Sequence, residues 1–205
     1  MDLTMKNYGL SISNDVLAIL ANSNVSVRDR AIFMILAESG LRASELTELD
    51  RASVLPQSCV IRNGQVQTCG HGEVKQSKYR CRVREFFVGP AAFAALQEYL
   101  AATLTDDIEQ PMFCKRDGRR LQPWVIQKTI REMCVKLDQL PIGIHALRQS
   151  LALRFVYAGL SIHSLRRVLG YCDSEQSQVI MRLTRDLLLR DYLRGIESFP
   201  WYQKP

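Results

Sequence analysis

Residues 145–171 read HALRQSLALRFVYAGLSIHSLRRVLGY. Leucine and other apolar residues recur here at helical spacing, so the stretch reads as helix buried along one side. His145 and Arg148 stand three apart at its mouth and therefore project from the same side. An arginine holds a phosphate through two parallel N–H donors, and a helix N-terminus adds its own attraction for an anion. The stretch closes on an aromatic, Tyr171. A helix built for burial thus opens on groups suited to an anion.

The rest of the chain supplies the same two ingredients, helix and positive charge. Upstream, SISNDVLAIL begins with Ser and Asn capping signals. SVRDRAIFMILAESG follows as an amphipathic helix that ends at Gly40, a C-cap residue. LRASELTEL restarts a short helix. From residue 52 to 88 the pattern changes: SCVIRNGQVQTC surrounds the turn dipeptide Asn63-Gly64, a hairpin signal. GHG at 70–72 reads as a further turn, and KYRCRVREFFV as a strand with basic residues on one face. Helix returns in AAFAALQEYLAATL. MFCKRDGRRL reads as a short strand and turn, and PWVIQKTIREMCVKL as a helix with Pro123 in its first turn. SEQSQVIMRLTRDLLLRDYL reads as the last long helix, before a tail over 196–205. The sum is a mainly α domain with a small antiparallel β-sheet inserted after the third helix.

The chain has 205 residues, 47% hydrophobic and 23% charged, which fits a single globular domain with a full core. A net charge of +6 favours an anionic partner such as nucleic acid. No stretch approaches the roughly 18 apolar residues of a membrane span, and MDLTMKNYGL lacks the apolar region of a secretory signal. Six cysteines are scattered without a CxxC pair, as suits reduced thiols in the cytoplasm and argues against a metal site. No metal and no cofactor are expected.

Two segments carry a resemblance. AESGLRASELTELD resembles the first arginine box of the tyrosine recombinases, the phage integrase family, and residues 145–171 resemble that family's second box without a gap. REFFVGPAAFAALQEYL is similar to the strand-to-helix segment that follows the family's hairpin lysine. The similarity runs over residues 10–195. It implies the tyrosine-recombinase catalytic fold as one domain over 1–205, with the family's N-terminal core-binding domain absent. It also implies a site in which two arginines and a histidine cradle a DNA phosphate and stabilise its charge. By that resemblance Arg42, His145 and Arg148 bind phosphate, and Glu45 supports Arg42. Lys78 or Lys75 takes the lysine role, and a lysine-hairpin tip placed at GHG would instead put His71 there.

The departures from the family pattern bear on activity. Tyr171 stands where the second histidine is usual, as a phosphate donor or as an aromatic lid. The family's nucleophilic tyrosine would fall at Ile180, or one place on at Met181, and neither can attack phosphorus. No tyrosine lies between Cys172 and Asp191. Tyr192 is the remaining candidate for a displaced nucleophile, although its helix face is apolar. The leading expectation is a DNA-binding protein without strand cleavage, a transcriptional regulator or accessory factor of a bacterial plasmid or mobile element. The first alternative is a working site-specific recombinase or invertase that uses Tyr192. The second is a partner-binding protein that no longer touches DNA. The expected partner is double-stranded DNA, with homo-oligomers on it compatible with the family and no membrane.

Further contacts to DNA are expected from the basic turn that holds Lys115, Arg116, Arg119 and Arg120. The polar side of the following helix offers Gln127, Lys128 and Arg131, which can reach base edges. Trp124 beside them is expected to pack into the core. Arg148 is expected to contribute affinity and little packing, so that its removal leaves the fold intact.

Overall fold

The computed structural model describes residues 12–22, 24–60, 65–75, 83–103, 107, 109–170 and 185–203. Its elements in chain order are α1 (Asn14–Asn22), α2 (Val27–Ser39), α3 (Ala43–Thr47), β1 (Leu55–Val60), β2 (Val66–Lys75), β3 (Val83–Val88), α4 (Pro90–Ala102), α5 (Pro123–Lys136), α6 (Ile144–Tyr157), α7 (Ile162–Leu169) and α8 (Arg185–Ile196). Short 3₁₀ turns cover Arg51–Ser53 and Pro200–Tyr202. The three strands form one antiparallel sheet in the order β1-β2-β3. Among the described residues no helix is long and apolar enough to cross a membrane.

Helix α2 is the axis of the domain. Ser26 caps its start by accepting the Asp29 N–H, and Gly40 ends it at φ 61°, the left-handed region open to glycine. The amphipathic pattern expected for this helix gives way in its second half, where every residue from Ala31 to Ser39 is buried. The reason is its neighbours: α1, α4, α5, α6 and β3 pack around it, so no face is left for solvent. Each fully buried Ile, Leu or Phe there contributes about 1.5–3 kcal/mol.

GHG at 70–72 is not a turn. It lies inside β2, with His71 paired to Leu55 on one side and Phe87 on the other. The glycines serve close approach: a Cβ on Gly70 would come within 2.6 Å of Val54 and 2.8 Å of Phe93, and one on Gly72 would collide with the Ser53 carbonyl. His71 is therefore at no hairpin tip. The long basic helix of 145–171 also divides. Helix α6 ends at Tyr157, and α7 starts afresh behind Ser161, whose hydroxyl accepts the Ser164 N–H.

The C-terminal segment, expected as a tail, is docked on the core. Phe199 is buried, stacks on Trp201 at 4.7 Å and lies beneath the Arg154 guanidinium at 4.8 Å. Arg154, itself buried in α6, donates to the carbonyls of Ser198 and Ile12 and to Asn14 Oδ1. Burial without a carboxylate lowers its pKa to about 10. Trp201 Nε1 donates to Glu38 Oε1 at 2.7 Å, and the Tyr202 hydroxyl accepts the Ala91 N–H at 2.9 Å. Glu38 is thus a carboxyl in the core, between α2, the start of α4 and the C-terminal turn.

Burial pushes the Glu38 carboxyl up to about 7, with the Trp201 and Tyr202 side chains and the Ala92 and Gly89 backbone pulling the other way. Because the folded-state value is raised, the protein holds this proton more tightly than the unfolded chain does. The associated stability is complete below the ordinary value of 4.5 and is lost as the pH rises through about 7. Glu38→Gln has no such group. Between acid and mildly alkaline pH, the stability of the native protein should therefore fall relative to the variant by up to about 3 kcal/mol. Urea unfolding of both proteins at each pH measures it, and parallel pH profiles would contradict it.

Candidate functional site

The left-handed turn at Gly40 brings the chain back against α6 and α7, and the polar side chains collect there. Arg42 is the N-cap of α3, and Glu45 reaches back from the first turn of that helix. Its Oε2 accepts the Arg42 backbone N–H at 2.8 Å, and its Oε1 accepts from Arg42 Nη1 at 2.7 Å. The Arg42 side chain is 39% exposed and that of Glu45 only 1%. The carboxylate thus sits inside, and the guanidinium it holds faces out.

A second arginine holds Glu45 from the opposite side. Arg84 of β3 is buried, and its Nη2 and Nε donate to Glu45 Oε2 and Oε1 at 2.8 and 3.4 Å, while Nη1 donates to the Val168 carbonyl at 2.9 Å. Burial pushes the Glu45 carboxyl upward, but the Arg84 and Arg42 guanidinium groups together hold it below the usual carboxylate value. The sequence reading placed the basic residues of this strand on one face and missed Arg84. Positions 84, 86 and 88 share one face of β3, and Phe86 and Val88 are core residues, but Phe87 on the other face is buried too, so parity alone did not single Arg84 out.

Arg148 completes the junction. It is buried in α6, and its Nη1 and Nη2 donate to the carbonyls of Gly40 and Leu169, the ends of α2 and α7. The expectation that its loss leaves the fold intact is corrected by this placement, since two buried carbonyls at helix ends depend on it. His145 lies one turn earlier in α6 and is exposed. Two guanidinium groups, of Arg42 and Arg84, therefore meet one carboxylate, Glu45, and a third, of Arg148, is bonded to the neighbouring helix ends. The local charge is positive, with Arg42 and His145 on its open side.

The expected lysine, Lys78, and Tyr171 lie outside the described residues, as do Ile180 and Met181. Lys75 is the last residue of β2, paired with Val83, and Tyr171 directly follows Gly170, the C-cap of α7. Tyr192 is described, and it is fully buried. Its ring packs against Phe87 at 5.3 Å and Phe155 at 5.9 Å, and burial raises its hydroxyl pKa well above the ordinary value. It is a core residue.

Of the expected outer contacts, Gln127, Lys128 and Arg131 share the exposed side of α5. Trp124 joins them at 63% exposure and does not pack inside as expected. Its place in the first turn of α5, beside exposed Gln122 and next to Pro123, puts it on the polar side, opposite buried Ile126 and Ile130. In the basic turn, Arg116 and Arg119 are exposed, Lys115 is half-buried, and Arg119 pairs with Asp117. Arg120 points inward instead. It donates to the carbonyls of Thr47 and Leu49 at 2.8 and 3.0 Å and pairs with Asp50, which ties the turn to the end of α3.

A mainly helical domain with a three-stranded sheet, whose arginines gather where α2 and α7 end against α6, has the fold of a tyrosine-recombinase catalytic domain. The chain belongs to the phage integrase family, whose model matches residues 12–184. It is 29% identical to the tyrosine recombinase XerC of Pseudomonas aeruginosa over 172 residues, 83% of this chain and 52% of that one. It is 28% identical to XerC of Serratia marcescens over 180 residues, 87% of this chain and 55% of that one. The chain thus spans about half the length of these relatives. Among solved structures it matches XerA recombinase with a TM-score of 0.63 and 22% identity, covering 88% of this chain and 62% of that one. It matches the pre-cleavage complex of XerH site-specific recombinase bound to difH substrate with a TM-score of 0.61 and 19% identity, over 87% and 52% of the two chains.

Proposed function

We propose that this chain binds duplex DNA, seats a backbone phosphate against Arg42 and His145 with Arg148 bracing that pocket from beneath, and serves as a transcriptional regulator or accessory factor of a plasmid or mobile element without cutting strands itself. The observation that carries the DNA contact is the charge imbalance at the junction: two guanidinium groups share one buried carboxylate, a third is bonded to neighbouring backbone carbonyls, and Arg42 is turned outward. Such a place favours an anion, and Arg42 and His145 are free to approach one from the solvent side. In this reading Lys78, Lys75 and Tyr171 add contacts to the same backbone. Lys115, Arg116 and Arg119 hold the neighbouring strand. The α5 side with Trp124, Gln127, Lys128 and Arg131 enters a groove, where Gln and Arg can reach base edges. Several copies on one site are compatible with this arrangement.

The loss of cutting rests on the sequence between Cys172 and Asp191, which contains no tyrosine, and on the burial of Tyr192. A second reading, an active site-specific recombinase, is favoured by the relatives, which are recombinases by name, and by the retention of Arg42, Glu45, His145 and Arg148 together. It requires a nucleophile outside the usual register.

Binding is tested by titrating the protein against a labelled duplex at increasing potassium chloride. Each phosphate neutralised adds about −0.9 to the slope of log affinity against log salt. The pocket and the α5 face together predict a slope steeper than about −3. An affinity indifferent to salt would remove the phosphate contacts from the proposal.

A further inference from the structure

Arg84 stands behind the phosphate pocket and has no exposed surface with which to meet DNA; its side chain is 6% exposed. Its hydrogen bonds run to protein groups within the fold. One guanidinium edge grips both oxygens of Glu45, and the remaining nitrogen is fixed to the Val168 carbonyl. Glu45 passes this constraint on, because the oxygen that meets Arg84 Nε also meets Arg42 Nη1, and the other holds the Arg42 backbone N–H. A glutamate paired with Arg42 alone would leave two side chains free to move together. Here the carboxylate is clamped from the buried side by a planar fork that is itself anchored to the end of α7.

We propose that Arg84 is a positioning residue, which fixes Glu45 between β3 and α3 and thereby aims the exposed Arg42 guanidinium at a DNA phosphate. The inference rests on the phosphate-pocket reading above. It assigns the residue no contact with DNA, only the pre-organisation of one that has it. Arginine suits the role because it offers three coplanar donors to three fixed acceptors. A lysine offers a single nitrogen and cannot span the two carboxylate oxygens and the Val168 carbonyl in the same plane.

A double-mutant cycle separates this role from a merely structural one. Affinity for a short fluorescein-labelled duplex of random sequence is measured for the native chain, Arg42→Met, Arg84→Met and the double variant. Arg42→Met and Arg84→Met should each weaken binding roughly tenfold, and the double variant should lose no more than about twofold beyond Arg42→Met. Should Arg84→Met fail to fold, Arg84→Lys keeps the charge and replaces it in the cycle. It is expected to lose about threefold with Arg42 present and nothing in its absence. Equal losses from the Arg84 substitution in both backgrounds overturn the positioning role and leave the pocket standing. An Arg42→Met protein that binds like the native chain brings down the pocket reading itself.

Discussion

Incubation with a nicked suicide duplex, built on a site that the protein selects from random DNA, is expected to yield no covalent protein–DNA band. Phosphoryl transfer through a protein intermediate needs a nucleophile held in line with the leaving oxygen. At the family's register this chain offers Ile180 or Met181, and neither carries an oxygen. Tyr192 is the nearest later tyrosine, but its ring is wedged between Phe87 and Phe155. Its phenol is held protonated by burial, so it is neither placed nor ionised for attack. Arginines that stabilise a transition state cannot replace the missing group, whose removal costs on the order of 10⁶ in rate in well-studied covalent enzymes. A band that vanishes in Tyr192→Phe would reverse this conclusion and require α8 to open. A band lost only with another tyrosine would equally show that strand cleavage survives.

The second large effect concerns stability. Glu45→Ala is expected to destabilise the protein by about 3–5 kcal/mol, because it strands the buried Arg84 without a counter-charge and releases Arg42 from its cap. Such a loss is a large share of a small domain's total stability. The acid side of the pH profile carries the same information with a sign opposite to that of Glu38. Glu45 has a lowered pKa in the folded state, so its contribution is present above the ordinary value of 4.5 and disappears as the pH falls through the folded value. Urea titration near neutral pH measures the cost of Glu45→Ala, and a loss under about 1 kcal/mol would contradict the clamp. The native protein should also lose stability in acid more steeply than Glu45→Gln.

Much of this was legible in the residues. Capping signals and the Gly40 terminus fixed the helices around the first arginine box, and Pro123 marked the start of α5. What misled was chemistry that depends on distant neighbours. GHG has the composition of a turn, yet Val54, Phe93 and Ser53 press so close that only glycines fit in that strand. Trp124 looked like core and stands in solvent, since the apolar side of α5 is already supplied by Ile126, Ile130 and Met133. Arg120 looked like a surface charge and instead closes the end of α3. Arg148 is bonded to two carbonyls from residues 108 and 21 positions away, a structural tie that no local pattern encodes. Arg84 was hidden the same way, with its carboxylate 39 residues upstream.

One further consequence follows from the Arg154 guanidinium, which bonds the carbonyls of both Ile12 and Ser198. The first and last parts of the described chain leave the domain from the same corner, so the path of the backbone is nearly a closed ring. A partner module fused before residue 12 or beyond residue 203 would emerge on that one side. Joining the two ends by a short linker and opening the chain in a surface loop away from Arg42, Arg84 and Arg148 is the rearrangement this geometry permits.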